Sequence, residues 1–412
     1  MSREKIVAGL DVGSSKVACV IAKKNESDLP EIIGIGVAPC KGLKNGSVVS
    51  IRETVKAIDL AVDAAEELAD ERVDELIVGI KGQHIESINH TTAINVVRTD
   101  KEIIHDDIVQ IMSSAKAIRL PADREIIHTI PQEFSIDGQS GIEDPVGLEG
   151  CHLSVNVHII TGISSYLNNL QKSINNAGFV CKEFISSILA AGEVTVSPEE
   201  KKIGCVLIDM GAQTTDIAIY CDKSIRYIKE IPLGGDDITS DITHGLRTSF
   251  AIARELKEKY GSTISALIDP KEEITHLTIE GRSQKIITRQ QLCNIIKSRV
   301  EDILTILNDE ITKTQYKDMI SAGAIITGGG SQLLGMKEAC EEILQLPTVV
   351  ATPQYVRSSV EGKGGVSISD PSLSCAIGLV KANFSELERS SRYPLKKPGL
   401  LTKFKRLLEN VI

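Results

Sequence analysis

Two stretches of the chain, about 200 residues apart, repeat one device: an apolar run that ends in an acid, then glycine, then hydroxyl residues. The first is Ile6-Val7-Ala8-Gly9-Leu10-Asp11-Val12-Gly13-Ser14-Ser15-Lys16, and the second is Cys205-Val206-Leu207-Ile208-Asp209-Met210-Gly211-Ala212-Gln213-Thr214-Thr215. An acid at a strand end, a glycine that lets the backbone turn, and hydroxyl and N–H groups facing the turn make a clamp for an anion such as phosphate. An ordinary β-turn opened by an Asp has the same local sequence. A third cluster, Thr327-Gly328-Gly329-Gly330-Ser331, follows the apolar Ile325-Ile326 and precedes a helix expected from Gln332. Its glycines permit close backbone approach and offer unpaired N–H groups to an anion or a nucleoside edge. Two phosphate hairpins followed by a base-side loop is the order that a bilobed nucleotide fold requires.

The elements that would carry these loops can be read from periodicity. A strand near Glu31 to Val37 follows the first hairpin, and a helix over Ile51 to Leu68 places Val55, Ile58, Val62, Ala65 and Leu68 on one apolar face. Glu75 to Ile80 reads as the next strand. Strands alternate from about residue 83 to 161, with a short helix around Asp106 to Ala117 and a turn at Asp137-Gly138-Gln139-Ser140-Gly141. A helix over Ser164 to Ala177, a strand at Val180 and a crossing segment from Ser186 to Val196 lead to the second hairpin. After it come a strand over Tyr227 to Pro232, a glycine turn at Gly234-Gly235 and a helix from Asp237 to Leu246.

Bulk composition narrows the class. A chain of 412 residues is too long for one core. With 42% hydrophobic residues but only 3% aromatics and no Trp, the core must be aliphatic, which suits buried parallel strands in α/β layers. A formal net charge of −10 and the absence of any basic stripe argue against nucleic acid as a partner. The nine cysteines are scattered without C-x-x-C spacing and read as small buried hydrophobes in a reducing compartment. No histidine pairing suits zinc, and no apolar stretch approaches the ~20 residues of a membrane span, so membrane contact would be peripheral.

The motifs resemble those of the actin, sugar-kinase and heat-shock-70 superfamily and, within it, the FtsA family of bacterial cell-division proteins. The resemblance rests on Gly9 to Lys16, Pro131-Gln132-Glu133-Phe134, Ile136 to Ile142 with Asp144-Pro145-Val146-Gly147, Pro232-Leu233-Gly234-Gly235, and Thr327 to Ser331, which run through nearly the whole chain in the family's order. It implies an α/β, actin-like two-lobed ATPase fold with duplicated ribonuclease-H-like cores and a relocated FtsA-type subdomain. The expected organisation is a lobe-one core over 1–82 with 162–196 and part of 367–382, and an inserted subdomain over 83–161. A lobe-two core would span 197–236 and 313–366, with an insertion over 237–312, followed by a linker over 383–399 and a terminal helix over 400–412.

In such a cleft the resemblance implies ATP and Mg2+. Asp11, Gly13, Ser14, Ser15, Asp209, Gly211, Gln213, Thr214 and Thr215 would surround the phosphates, with Gly328, Gly329, Gly330 and Ser331 on the base side and Gly234 and Gly235 also in the ATP site. Lys16 either adds a point charge there or is solvated. Asp11 and Asp209 would hold Mg2+ through its waters. The family's adenosine helix carries Ala-Glu-x-x-Lys, whereas this chain reads Ala253-Arg254-Glu255-Leu256-Lys257, so either Arg254 replaces the acid or the helix registers differently around Glu255 and Lys257. Ala212 and Gln213 stand where the family has glycines and would be strained if those positions need positive φ. The residue nearest the actin water-orienting position is Ser187, a poor base, so ATP binding with slow hydrolysis or almost none is expected.

Residues Pro398 to Ile412 carry a separate signal. At roughly 100° per residue, Leu400, Leu401, Phe404, Leu407, Leu408, Val411 and Ile412 fall within an arc of about 140°. Lys403, Lys405 and Arg406 rim that face, and the segment before it is polar and proline-bearing. Such a helix suits an acidic lipid surface, with docking on its own domain as the alternative. The resemblance then implies a peripheral protein at the cytoplasmic face of the cell membrane at the division septum. It would form filaments with itself, bind the C-terminal tail of the tubulin-like FtsZ near Arg299 and Glu301, and recruit later division proteins. A PilM-like inner-membrane scaffold and a small-molecule kinase of the same superfamily remain alternatives; the tail argues against the first and the lack of a sugar-pocket motif against the second.

Overall fold

The computed structural model describes residues 6–24, 29–279, 281, 283–360, 362 and 367–392, with 384–392 as backbone only. The chain opens with β1 (Ile6–Val12), β2 (Lys16–Lys24), β3 (Pro30–Pro39), the short pair β4 (Leu43–Lys44) and β5 (Ser47–Val48), α1 (Ile51–Ala69) and β6 (Glu75–Ile80). An inserted unit follows with β7 (Glu86–Asn95), α2 (His105–Ala115), β8 (Arg124–Ile136), β9 (Gln139–Ile142) and β10 (His152–Ile163). The chain returns through α3 (Ser164–Asn176) and β11 (Val180–Ser186), then crosses on α4 (Ser187–Thr195) and α5 (Pro198–Ile203). The second half contains β12 (Cys205–Met210), β13 (Thr215–Cys221), β14 (Ser224–Ile231), α6 (Gly235–Leu246), α7 (Phe250–Tyr260), β15 (Glu273–Leu277), β16 (Gln284–Thr288) and α8 (Arg289–Lys313). It closes with β17 (Ala324–Thr327), α9 (Met336–Leu344), β18 (Thr348–Val350), β19 (Arg357–Ser358) and α10 (Ser374–Arg392).

The two halves share one topology. Apart from β19, which adds a sixth strand beside β3, the first sheet runs β3-β2-β1-β6-β11, and the second runs β14-β13-β12-β17-β18. Each is an antiparallel three-strand meander continued by two parallel strands. All of β12 is buried, as expected of a strand covered on both faces. α4 and α10 lie between the sheets, packed closely enough that a Cβ on Gly378 would stand 1.9 Å from the Ala190 carbonyl. Seven of the nine cysteines are buried, and all nine are free.

α1 forms where expected, capped by the Ser50 hydroxyl, which accepts the Glu53 N–H. Its buried face is rotated from the expected one: Thr54, Ala57, Ile58, Ala61, Val62 and Ala65 are buried, while Val55 and Leu68 are only half-buried. The cause lies in β3. A Cβ on Gly36 would stand 1.9 Å from the Ala61 carbonyl and one on Gly34 2.2 Å from that of Ala65, so the helix presses its alanines against a glycine strip. Three boundaries also move. The helix expected from Gln332 begins at Met336, because Gly329–Gln332 first makes a 3-10 turn. β19 pairs with β3, so the chain has rejoined the first sheet by Arg357, inside the 313–366 span assigned to lobe two. α10 continues to Arg392, well into the expected 383–399 linker, because the first helix-breaking residue after Asn383 is Pro394.

The inserted sheet, β7-β10-β8-β9, carries α2 on one face. The Asp137-Gly138 turn joins β8 to β9, with φ of 48° and 89° at its two residues, the left-handed pair that tight hairpins demand. The insert leans on β14 of the second half. There Asn89 Nδ2 donates to the Arg226 carbonyl at 2.9 Å, Gln132 Nε2 to the Ile225 carbonyl at 2.6 Å, and Ser224 Oγ to the Gln132 carbonyl at 3.0 Å. Among the described residues no helix is long and apolar enough to cross a membrane.

Candidate functional site

The two hairpins close with the same bond. Gly13 N–H donates to the Lys16 carbonyl at 2.9 Å, and Gly211 N–H to the Thr214 carbonyl at 2.9 Å. A Cβ on either glycine would stand 2.9 Å from that carbonyl. Neither has positive φ, so close approach rather than a left-handed backbone demands glycine here. Asp11 is the penultimate residue of β1, opposite Gly79 of β6, and Asp209 the penultimate residue of β12, opposite Thr327 of β17, so the acids occupy equivalent places in the two halves.

The loop residues divide by role. Ser14 Oγ accepts the Gly46 N–H at 3.4 Å, and the Ser15 carbonyl accepts the Cys40 N–H at 2.9 Å. Thr214 is buried in the second turn, while Thr215 Oγ1 donates to the Leu233 carbonyl at 2.8 Å and so ties the hairpin to the loop that follows β14. Ala212 and Gln213 do not have positive φ, so the strain anticipated for them does not arise. Gln213 instead spans the lobes: its Oε1 accepts the Asn45 N–H at 2.9 Å and its Nε2 donates to Asp236 at 3.2 Å.

Gly234 and Gly235 lie against the second hairpin, with Gly235 N–H donating to the Gly211 carbonyl at 3.0 Å and Asp236 N–H to the Ala212 carbonyl at 2.6 Å. The third glycine loop meets the same hairpin. Gly328 has φ of 83°, and a Cβ there would stand 2.2 Å from Asp209 Oδ1, so no other residue fits. Gly330 packs against Met210, a Cβ on Gly329 would lie 3.8 Å from Ser372, and Ser331 Oγ donates to the Gly328 carbonyl at 2.7 Å. On α7, Lys257 Nζ reaches the same edge, donating to the Gly235 carbonyl at 2.7 Å and to Thr239 Oγ1 at 2.9 Å. Burial lowers its pKa against the pull of Asp236. Glu255 is exposed, and Arg254 instead pairs with Asp236 at 3.1 Å.

Charge at the cleft floor comes from residues that motif reading missed. Lys81, one residue beyond β6, places Nζ 3.2 Å from Asp11 Oδ1. Burial alone would lower its pKa, but Asp11, the Cys375 sulfur, Asp209 and Asp216 outweigh that and hold it well above the ordinary value. Asp209 is pushed up by burial, against the opposing pull of Lys81 and of the Cys375 thiol, which donates to its Oδ2 at 3.1 Å. Behind them Asp216 and Glu230 face each other across β13 and β14. Burial, then their mutual repulsion, holds Asp216 well above the carboxylate range, and Glu230 is raised by burial too, so the pair retains a proton. Glu230 Oε2 accepts the N–H of Gly82 from the other lobe. A lysine flanked by Gly79 and Gly82 right after an apolar strand echoes the hairpins and was the available signal for Lys81.

Lys16 turns outward: Nζ donates to Ser372 Oγ at 2.5 Å, beside a cavity of about 460 Å³ that Gln332 and Asp370 also line. Burial lowers its pKa against the pull of Asp370 and Asp11. Among the described residues no group of three or more His, Cys, Asp or Glu side chains could hold a metal ion directly. A cation shared by Asp11 and Asp209 would therefore keep its waters, which is how Mg2+ binds. The residues fit that use, because Ser187 Oγ, beside Gly79, is buried without a hydrogen-bond partner and Asp11 Oδ1, close to the same glycine, is met among the described residues by the Lys81 ammonium alone.

Away from the cleft, Arg299 on α8 holds Asp241 of α6 with two bonds, at 2.7 and 3.1 Å, and Glu301 lies 3.5 Å from Lys297 on the same helix. Both proposed partner residues are thus engaged within the second-half insertion. The candidate membrane residues Leu400 to Ile412 lie outside the described residues.

Comparison with known proteins agrees with this architecture. The family model described as "Cell division protein FtsA" matches residues 206–378, and that described as "SHS2 domain inserted in FTSA" matches 82–161. The chain is 34% identical to the cell division protein FtsA of Pseudomonas aeruginosa, over 91% of this chain and 88% of that one. It is 34% identical to FtsA of Neisseria meningitidis over 99% of both, and 33% identical to FtsA of Bacillus subtilis over 92% of this chain and 84% of the other. Among solved structures, a PilM–PilN type IV pilus biogenesis complex superposes with a TM-score of 0.64 at 15% identity, covering 92% of this chain and 98% of that one. MreB 5 of Spiroplasma citri bound to AMPPNP superposes with a TM-score of 0.58 at 12% identity, covering 95% and 100%. The fold is the actin-like ATPase fold.

Proposed function

The chain belongs to the FtsA family of cell-division proteins, and on that ground we propose that it binds ATP with Mg2+ between its lobes and anchors the division ring to the membrane. In this reading it assembles with copies of itself at the cytoplasmic face, holds the tail of FtsZ, and recruits later division proteins. The observation that carries the nucleotide part is the matched pair of hairpins, closed by identical 2.9 Å bonds at Gly13 and Gly211 and joined at one edge by the Gly328 loop.

The turn N–H groups and the Ser14, Ser15 and Thr214 hydroxyls would receive the β and γ phosphates. Gly328 to Ser331, Gly234, Gly235 and Lys257 would border the nucleoside. Asp11 and Asp209 would hold Mg2+ through water, where the ion supplies positive charge between the phosphates. Ser187 Oγ, buried with no partner, can hold a water near Asp11 but cannot take its proton at neutral pH, which supports slow turnover or none. The nucleotide then acts chiefly as a ligand that stabilises the closed arrangement of the lobes.

The membrane part rests on the sequence of the tail, with Leu400, Leu401, Phe404, Leu407, Leu408, Val411 and Ile412 on one face and Lys403, Lys405 and Arg406 at its rim. The protein body carries net negative charge, so the tail must supply the attraction to acidic lipid. The test is co-sedimentation with acidic liposomes in ATP and Mg2+, comparing the full chain with one ending at Gly399. Loss of binding on truncation is expected. Equal binding by both forms, or none by either, would return the tail to intramolecular packing and remove the anchor from the proposal.

A further inference from the structure

We infer that Lys81 is a built-in cation of the phosphate site, supplying counter-charge that nucleotide phosphates otherwise draw from a divalent ion, so that ATP binding by this chain depends only weakly on Mg2+. The inference rests on the nucleotide reading above and concerns how that site is charged.

The geometry puts the ammonium where phosphate would arrive. Lys81 Nζ lies 3.2 Å from Asp11 Oδ1 and 3.4 Å from Oδ2, and a Cβ added to Gly13 would stand 3.7 Å from it. The charge is therefore beneath the first hairpin, whose turn N–H groups offer the anion seat. Only 16% of the side chain is exposed, so solvent screens it poorly.

The backbone around Lys81 is fixed from both lobes. β6 sets its origin, with Gly79 opposite Asp11. The next residue, Gly82, has φ of 135° and gives its N–H to Glu230 of the second lobe. The Asn45-Gly46 turn lies over the same peptide, so tightly that a Cβ on Gly46 would stand 2.8 Å from the Lys81 carbonyl. The origin of the side chain is thereby fixed, and Nζ is largely enclosed beside Asp11. It can neutralise Asp11, and it can share its remaining donors with a phosphate oxygen, since an ammonium has three. A hydrated Mg2+ at Asp11 would sit beside this ammonium, and the repulsion between two cations on one carboxylate lowers what the ion adds.

The test is nucleotide affinity, measured by equilibrium dialysis of radiolabelled ATP with the full chain, in Mg2+ and in EDTA. Wild type, Lys81→Met and Lys81→Arg are compared, with circular dichroism and thermal melting as checks of folding. For wild type, removing Mg2+ is expected to weaken binding by no more than about tenfold, whereas in Lys81→Met the ratio widens to about a hundredfold, as losing one contact cation in a poorly screened site requires. Lys81→Arg should restore the small ratio, which a merely structural lysine would not do. A folded Lys81→Met with the wild-type ratio overturns the inference while leaving the nucleotide site intact. A wild-type ratio already near a hundredfold overturns it without any variant, and no ATP binding by wild type in either buffer overturns the nucleotide reading with it.

Discussion

His158 sets a measurable acid limit on the contact between the inserted subdomain and the second lobe. It sits on β10, 1% exposed, with Nδ1 2.7 Å from Asn89 Oδ1. Asn89 Oδ1 also accepts from Gln132 Nε2 at 3.1 Å, so the imidazole must be the donor at Nδ1 and carries its lone pair on Nε2. Nε2 is buried with no partner. A second proton would sit there unsatisfied, near the Arg226 cation; burial first and that charge second push the pKa down to about 4. Because the unfolded chain titrates near 6.5, it binds more protons than the native state between these values, and stability falls as pH drops through that window. At pH 5 the loss relative to pH 8 amounts to about 2 kcal/mol, approaching about 3 kcal/mol below the native pKa. The assay is urea unfolding at pH 8 and pH 5 for wild type and His158→Gln, which keeps a donor toward Asn89 but cannot titrate. The variant is expected to be less stable at pH 8, yet its drop on acidification should be about 2 kcal/mol smaller. His84 and His128, also lowered to about 4, contribute equally to both proteins and cancel in the difference. An identical drop in the two proteins, or a His158 ring resonance titrating above pH 6, would refute the reasoning.

Three further outcomes follow from the cleft. Gly328→Ala forces a Cβ to 2.2 Å from Asp209 Oδ1 at a φ of 83°, so ATP binding should be lost and thermal unfolding should show a cost of at least about 2 kcal/mol; unchanged affinity would remove this loop from the site. Asp216→Asn removes a carboxyl that stays protonated in the native state above its unfolded pKa, and such a group loses stability for the wild type as pH rises. The variant should therefore gain on wild type in urea melts between pH 5 and pH 8, and no relative gain would mean that the pair does not hold its proton. Lys257→Met cuts the bonds to the Gly235 carbonyl and Thr239 that dock α7 on α6, and should weaken ATP binding by about tenfold with about 1–2 kcal/mol of stability lost, read by calorimetric titration and melting; full-strength binding would confine Lys257 to packing.

What could be read ahead of the structure was local. Both hairpins announce themselves because acid, glycine and hydroxyl are consecutive, and α1 because its apolar residues recur at helical spacing. The rotation of α1 could not be read from its own sequence, since the cause is a glycine strip on β3 that accepts alanine carbonyls at close range. The Asp216–Glu230 pair was hidden by a register change. Counting back from the Cys221↔Ser224 pair at the β13–β14 turn puts Asp216 opposite Lys229, an ordinary cross-strand ion pair. A bulge between Ile219 and Tyr220 shifts the pairing by one, brings Glu230 opposite Asp216, and turns an attraction into a shared proton. Lys81 escaped for a similar reason: its partners, Asp11, Asp209 and Asp216, come from three separate strands of two sheets.

The repeated backbone carries unequal charge, and that inequality bears on how the cleft works. Lobe one brings Lys81 beside Asp11, with Lys16 turned toward Ser372, while lobe two brings Asp209, Asp216 and Glu230. Opposite signs across the gap draw the lobes together before any ligand arrives, and the Gly82 to Glu230 and Asn45 to Gln213 bonds use that approach. An incoming polyphosphate is anionic, so it competes with lobe two's acids for Lys81. A proton retained by Asp216 and Glu230 lessens that competition, because it removes one negative charge from behind Asp209. Asp216→Asn makes that neutrality permanent, so its ATP affinity should hold as pH rises, whereas wild-type affinity declines as the pair loses its proton. A parallel decline in both proteins would separate the carboxylate pair from the phosphate site, and the charge division between the lobes would then serve only to hold them closed.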